Sequence, residues 1–161
     1  MAVFKQDLDR LGIQVLPPDV NQSQAKFSVE VLDDGSKALR YALGAIKNVG
    51  AAAMEHLVAE RERNGPFQSI QDFVSRLDKE IINKRQLEHL VQAGAFDCLE
   101  TNRALLLLNV DGMARYATAM AEERASSQVN LFDSVAGAGD APTLRLFEAE
   151  EWPMGDKLKR E

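Results

Sequence analysis

Two glycine-centred turns, each set between helical stretches, constrain this chain more than any other feature. The first lies in Leu43-Gly44-Ala45-Ile46-Lys47-Asn48-Val49-Gly50-Ala51. The second closes Asn83-Lys84-Arg85-Gln86-Leu87-Glu88-His89-Leu90-Val91-Gln92-Ala93-Gly94-Ala95-Phe96-Asp97. Gly50 and Gly94 stand 44 residues apart, a weak internal repeat. From residue 44 onward the apolar spacing is helical. Ala53, Met54, Leu57 and Val58 share one face of a helix over residues 50–63, stopped by Asn64-Gly65-Pro66. Ser69 is the N-cap of the next helix, with Asp72 in a capping-box-like place, and Asn83 caps a third that carries Leu87, Leu90 and Val91. Thr101 or Asn102 starts the longest helix, expected to end near residue 125, with Leu105–Leu108, Met113, Tyr116, Ala117 and Met120 too apolar to face water throughout.

The N-terminal quarter reads differently. Residues 4–11 suit a short helix with Phe4, Leu8 and Leu11 on one side and Gly12 as its stop. Ile13-Gln14-Val15-Leu16 and Pro17-Pro18 must be extended or turning. Phe27, Val29 and Val31 then alternate, Asp33-Asp34-Gly35-Ser36 supplies a turn, and Leu39 and Tyr41 continue the alternation: a β-hairpin. The expected fold is therefore mainly α, a pair of hairpin-linked helical units preceded by a small β-hairpin and followed by a long helix and a flexible linker. The linker covers residues 126–143, where Ser126-Ser127 and Ala136-Gly137-Ala138-Gly139-Asp140-Ala141-Pro142 offer too little apolar area to order a chain. The segments divide as 1–40, 41–125, 126–143 and 144–161, the last reading as the lead into a following domain.

Composition excludes several classes. The 161 residues carry 19 Lys and Arg against 25 Asp and Glu, a net charge of −6, which disfavours a freestanding basic nucleic-acid binder. Only residues 37–63 are net positive, with five cations against three acids. The single cysteine, Cys98, excludes an internal disulfide framework and a multi-cysteine zinc site, and reads as a small core residue. No apolar run reaches the ~20 residues that span a bilayer, and the N-terminus lacks the pattern of a secretion signal, so the expected compartment is the cytoplasm with no membrane partner. Asp7-Leu8-Asp9 has no third carboxylate nearby, and His56 and His89 stand without a ligand set, so no metal or catalytic site is assigned.

The turns themselves carry chemistry. Glycine allows a tight bend and close backbone approach, and the helix that follows presents unbonded N–H groups and the positive end of its dipole, a combination that suits phosphate. The candidate residues are Lys47, Asn48, Val49, Gly50 and Ala51 at the first turn, and Lys84, Arg85, Ala93, Gly94, Ala95 and Phe96 at the second. Such a turn reads backbone phosphates and not bases, so it binds without sequence preference. The same layout also serves an ordinary αα-turn, and the residues leave both readings open.

Arg10-Leu11-Gly12-Ile13-Gln14-Val15-Leu16-Pro17-Pro18-Asp19-Val20-Asn21, the first turn, Gly65-Pro66-Phe67, Gly94-Ala95-Phe96-Asp97 and Asn102-Arg103-Ala104-Leu105-Leu106 together resemble the bacterial C-family replicative polymerases, the DNA polymerase III alpha subunits. The resemblance covers nearly the whole chain. It implies a fragment running from the end of the fingers through a tandem helix-hairpin-helix domain and stopping before the OB domain. The parent would be a DNA-directed DNA polymerase, a nucleotidyltransferase of DNA replication. Its catalytic carboxylates and Mg²⁺ would belong to a palm domain outside this chain, which alone would be inactive and hold no cofactor. The implied partners are primer–template duplex DNA, the sliding clamp (beta subunit) and, through the parent, other holoenzyme subunits. Ala51-Ala52-Ala53 after Gly50 departs in offering no polar side chain to phosphate.

Gln128-Val129-Asn130-Leu131-Phe132 places two large apolar residues within the small-residue linker. It looks like the short peptide by which bacterial polymerases bind the clamp, with Leu131 and Phe132 filling an apolar pocket and the Gln128 amide bonding its rim. The alternative is a satellite strand packed on the parent domain. For the whole chain, the alternative to DNA binding is a protein-interaction or scaffold module whose turns only pack helices.

Overall fold

The computed structural model describes residues 6–8, 10–77, 82–129 and 143–160. Phe4 therefore lies outside the described residues, while residues 6–8 and 10 are helical as expected. Then follow strands β1 (Gln14–Leu16), β2 (Ser28–Val31) and β3 (Lys37–Arg40), a single 3-10 turn (Leu43–Ala45), and helices α1 (Ala51–Asn64), α2 (Ile70–Arg76), α3 (Lys84–Gln92), α4 (Arg103–Val129) and α5 (Met154–Arg160). The fold is mainly α. The backbone of α4 stays helical to Val129, one turn beyond the end expected near residue 125.

Local rules account for most boundaries. The Ser69 hydroxyl accepts from the Asp72 amide (3.1 Å) and starts α2, while the Asp72 carboxylate accepts from the Gln68 amide (3.0 Å). Asn83 and Gln86 form a full capping box on α3, each side chain accepting from the other's backbone N–H (3.0 and 2.8 Å). Asn102 accepts from the Leu105 amide (3.0 Å) and starts α4.

The core joins both helical units. Phe67, Phe73 and Phe96 stack edge to face with centroids 4.8 Å apart at each step. Around them pack Leu57, Leu77, Leu87, Leu90, Leu106 and Met113, all fully buried. Val20, from the N-terminal quarter, belongs to the same cluster. Two buried or half-buried carboxamides act as backbone mimics that tie distant segments to it. Asn21 exchanges both hydrogen bonds with the Phe67 backbone (2.9 and 2.8 Å), and Asn109 does the same with Phe147 (2.8 and 2.7 Å). The second clamp lays residues 143–149 along α4, with Leu144 and Leu146 against the core.

The sheet corrects the sequence reading in two ways. It has three strands in the order β1-β3-β2, because Gln14–Leu16 pairs in parallel with Ala38–Arg40. The expected hairpin is present, with Val29 opposite Leu39 and Val31 opposite Lys37. Yet its apolar face looks outward. Val29 is 64% exposed and Val31 68%, and Leu11, Ile13 and Phe27 are exposed with them. The opposite face, turned to the body, carries Ala38 and Arg40, the latter only 8% exposed. Arg40 donates to both Glu30 carboxylate oxygens (2.8 and 2.7 Å), the Gln22 side chain (2.7 Å) and the Pro17 carbonyl (3.1 Å). That fully used guanidinium holds the Glu30 carboxyl below its usual range. Strand alternation specifies which residues share a face, and the arginine's four acceptors decide which face turns inward. Cys98, expected in the core, lies at the surface.

Candidate nucleic-acid interface

The first turn is built to stay open. Leu43 is buried, and the Ile46 amide bonds the Leu43 carbonyl (3.2 Å) to close the 3-10 turn. The Val49 amide bonds the Ile46 carbonyl (3.2 Å), and the Val49 side chain is fully buried, pinning the bend. Asn48 (φ 63°) and Gly50 (φ 82°) then reverse the chain in the left-handed half of conformational space. A Cβ on Gly44 would sit 2.6 Å from the Ala25 carbonyl oxygen, so glycine is needed there for close approach. Helix α1 begins at Ala51 with no side-chain cap and no acid in its first turn. Its first internal bond runs from the Met54 amide to the Gly50 carbonyl (3.3 Å), leaving the Ala51–Ala53 donors without acceptors among the described residues. Lys47, Asn48, Gly50 and Ala51 are exposed, and Lys47 makes no ion pair among the described residues. The three alanines, the departure noted in the sequence, leave these donors unscreened by side chains.

The second turn has the same backbone and the opposite surroundings. Gly94 has φ 79°, matching Gly50. Ala93, Gly94, Ala95 and Phe96, expected to meet phosphate, are all buried. The amides of Ala93, Gly94 and Ala95 are bonded to the His89, Val91 and Leu90 carbonyls at 3.0 Å each. The Arg103 guanidinium lies over the glycine, so close that a Cβ on Gly94 would collide with Nη2. It is held there by the Asp97 carboxylate (2.9 and 2.7 Å) and the Gln92 carbonyl (3.2 Å). This turn is closed by the start of α4, and its Ala93, Gly94 and Ala95 amides are already bonded.

The candidate cations divide likewise. Arg85 is exposed and makes no ion pair among the described residues. Lys84 is tied to Asp111 (2.7 Å) and Glu88 (3.9 Å), and the hydrogen bond to Asp111 raises its ammonium above the usual range. Of the five cations in the net-positive stretch 37–63, two are withdrawn from the surface: Arg40 is paired inside, and Arg61, 8% exposed, donates to the Val20 and Ser23 carbonyls (2.9 and 2.8 Å), while Lys37, Lys47 and Arg63 are exposed. Desolvation pushes the Arg61 guanidinium below its usual range. Gln128 falls in the last turn of α4, and Leu131 and Phe132 lie outside the described residues. Among the described residues no three His, Cys, Asp or Glu side chains group as metal ligands, and no helix is long and apolar enough to cross a membrane.

Sequence reasoning passed over Gln86 and Arg103. The Asn-x-x-Gln spacing of the capping box pointed to Gln86, whereas no local signal placed Arg103 over Gly94.

Residues 12–106 match the family described as the helix-hairpin-helix motif, a span that holds both turns, the helices α1 to α3 and the first residues of α4. The chain belongs to the helix-hairpin-helix family. Over its full length it is 45% identical to DNA polymerase III subunit alpha of Caulobacter vibrioides (strain NA1000 / CB15N), of which it covers 13%. It is 40% identical over 98% of its length to the same subunit of Neisseria meningitidis serogroup B (strain ATCC BAA-335 / MC58), again covering 13% of that protein. With the Thermus aquaticus subunit the identity is 42% over 93% of this chain and 12% of the relative. The helix-hairpin-helix chain thus spans about an eighth of the curated relatives it matches.

Proposed function

We propose that this chain is a non-catalytic, duplex-gripping segment of a DNA polymerase III alpha subunit. The observation that carries the reading is the uncapped N-terminus of α1 behind the pinned turn at Val49-Gly50, with Lys47 exposed beside it. Phosphate oxygens accept from the free amides of α1, Lys47 adds a charge, and Arg85 on α3 adds a second. The contact is to backbone and independent of sequence. The amides of the second turn take no part, and that turn serves to hold the helices of the first.

In this reading the parent polypeptide carries out templated nucleotidyl transfer in the cytoplasm, on Mg²⁺ held by carboxylates outside this chain. Gln128, Leu131 and Phe132 tether it to the sliding clamp, and two weak attachments to one DNA act as a strong one through effective concentration. The test is duplex affinity against salt. Affinity should fall linearly in log–log form, and Lys47→Glu should weaken it and flatten the slope by at least about one unit. An unchanged affinity for Lys47→Glu rejects the turn as a DNA site. Loss of clamp binding on changing Leu131 and Phe132 to Ala, measured by titration calorimetry, tests the tether separately.

A scaffold reading is favoured by one observation, the closed second turn with Lys84 already paired to Asp111. It predicts no salt-dependent duplex binding at all.

A further inference from the structure

Helix α3 belongs to the second hairpin unit, yet two of its side chains reach the first turn. Gln86 donates from Nε2 to the Val49 carbonyl at 2.6 Å. Its Oε1 at the same time accepts the Asn83 amide (2.8 Å) in the capping box of α3. A carboxamide alone among side chains of this length offers one acceptor and one donor on opposite sides of one planar group. One turn further along the same face, His89 Nε2 lies 2.9 Å from Asn48 Nδ2. With the imidazole neutral and its proton on Nδ1, the Asn48 amide donates to it. Asn48 is also the non-glycine residue with positive φ among the described residues. A residue in that conformation persists where its surroundings over-determine it.

These contacts have a direction. The Val49 carbonyl and the Asn48 side chain are taken up by α3, while Ala51 and Ala52, whose amides have no acceptor among the described residues, are exposed. Neither Gln86 nor His89 brings a formal charge to the surface in the neutral state, so neither substitutes for Lys47 or Arg85.

We propose that Gln86 and His89 are positioning residues that hold the first turn in its phosphate-reading shape from the second hairpin unit. The inference rests on the reading of that turn as a phosphate site. It makes the two units of the repeat unequal in kind: the first presents its backbone amides to DNA, and the second, besides the charge of Arg85, supplies the side chains that fix the first.

The experiment has one arm without DNA and one with it. Gln86→Leu removes both hydrogen bonds without changing charge. In the free chain the Val49 amide should exchange with solvent about fivefold faster or more, since one buried-edge hydrogen bond of that order restrains the turn. The Phe73 amide, bonded to the Ser69 carbonyl in α2, should be unchanged. Should Gln86→Leu fail to fold, Gln86→Glu keeps the capping-box acceptor and sets an oxygen against the Val49 carbonyl, with the same exchange result expected. Unchanged Val49 exchange in a folded variant overturns the proposal, whether or not the chain binds DNA.

In the second arm a duplex of mixed sequence is titrated. His89→Ala should weaken binding about fivefold with an unchanged log–log salt slope, whereas Lys47→Ala lowers that slope by about one. Glycine adopts positive φ without strain, so in an Asn48→Gly background the His89→Ala loss should largely disappear. A loss that persists undiminished there means His89 touches DNA itself, and the positioning role falls. Absence of salt-dependent duplex binding by the parent chain rejects the proposed function, and the exchange arm still decides the positioning.

Discussion

Gly50 and Gly94 adopt nearly the same φ in two turns of one repeat, and their surroundings make them opposites. Around Gly50 a side chain would meet nothing nearer than Gln86 Nε2 at 3.8 Å, and the following helix opens onto solvent. Around Gly94 the guanidinium of Arg103 fills the space, the amides are spent inside the turn, and the neighbouring lysine is paired. Shared backbone geometry therefore does not make a shared function. An anion site needs free donors as well as the right bend, and the start of α4 removes them from the second turn.

The largest expected effect breaks the second turn. Gly94→Ala adds positive-φ strain and a collision with Arg103, and should destabilise the chain by about 3 kcal/mol or more, whereas Gly50→Ala should cost only about 1 kcal/mol from strain. Urea unfolding of both variants measures the difference. Equal losses would show that Arg103 yields and that the turns are equivalent after all.

Next in size is the rescue of that collision. Arg103→Ala alone removes the Asp97 and Gln92 partners and should destabilise by about 2 kcal/mol. Combined with Gly94→Ala, the total should fall short of the two single losses by about 1 kcal/mol or more, because the collision is gone. Strict additivity in the double-mutant cycle would remove Arg103 from the account.

A smaller contrast concerns charge. Lys47→Glu should weaken duplex binding about tenfold at low salt, and Lys84→Glu about threefold or less, since Lys84 already spends its charge on Asp111. The raised Lys84 ammonium stays protonated in both folded and unfolded chains below the usual lysine range, and the benefit of its pairing is lost only as pH rises through the folded value. A titration at neutral pH thus compares the two lysines in one charge state. Equal losses would restore the symmetry of the turns.

The smallest effect sharpens the same contrast. Asp111→Asn should release Lys84 and strengthen duplex binding by about twofold, read by the same titration. Weaker binding would show that Asp111 has another role.

Much of this was legible in the residues. Caps at Ser69 and Asn83, stops at Gly65 and Gly94, and the inward set Met54, Leu57 and Val58 all depend on neighbours within about four positions, so local pattern suffices; for the long helix the pattern left Thr101 and Asn102 open, and Asn102 is the cap. The sheet shows where pattern stops. Alternation groups Phe27, Val29 and Val31 on one side, and hydrophobicity alone would turn that side inward. Arg40 reverses it, because its guanidinium finds Glu30, Gln22 and Pro17 only on the body side. The third strand was missed for a related reason: Gln14–Leu16 pairs with residues more than twenty positions away, beyond any local signal.

The candidate site divides in the same manner. Exposure of Lys47 and the free amides of α1 follow from the glycine turn and an alanine-rich first helical turn, both local. Closure of the second turn follows from Arg103, Asp97 and Gln92 meeting over Gly94, and the shaping of the first turn from Gln86 and His89, some forty positions along the chain. Sequence by itself determined the helices, most of the caps and the glycines of the two turns, because those depend on steric and hydrogen-bonding neighbours along the backbone. Which turn keeps unbonded amides, and which face of the sheet turns inward, was decided only by tertiary structure, since both depend on where a few arginine and carboxamide side chains find their distant partners.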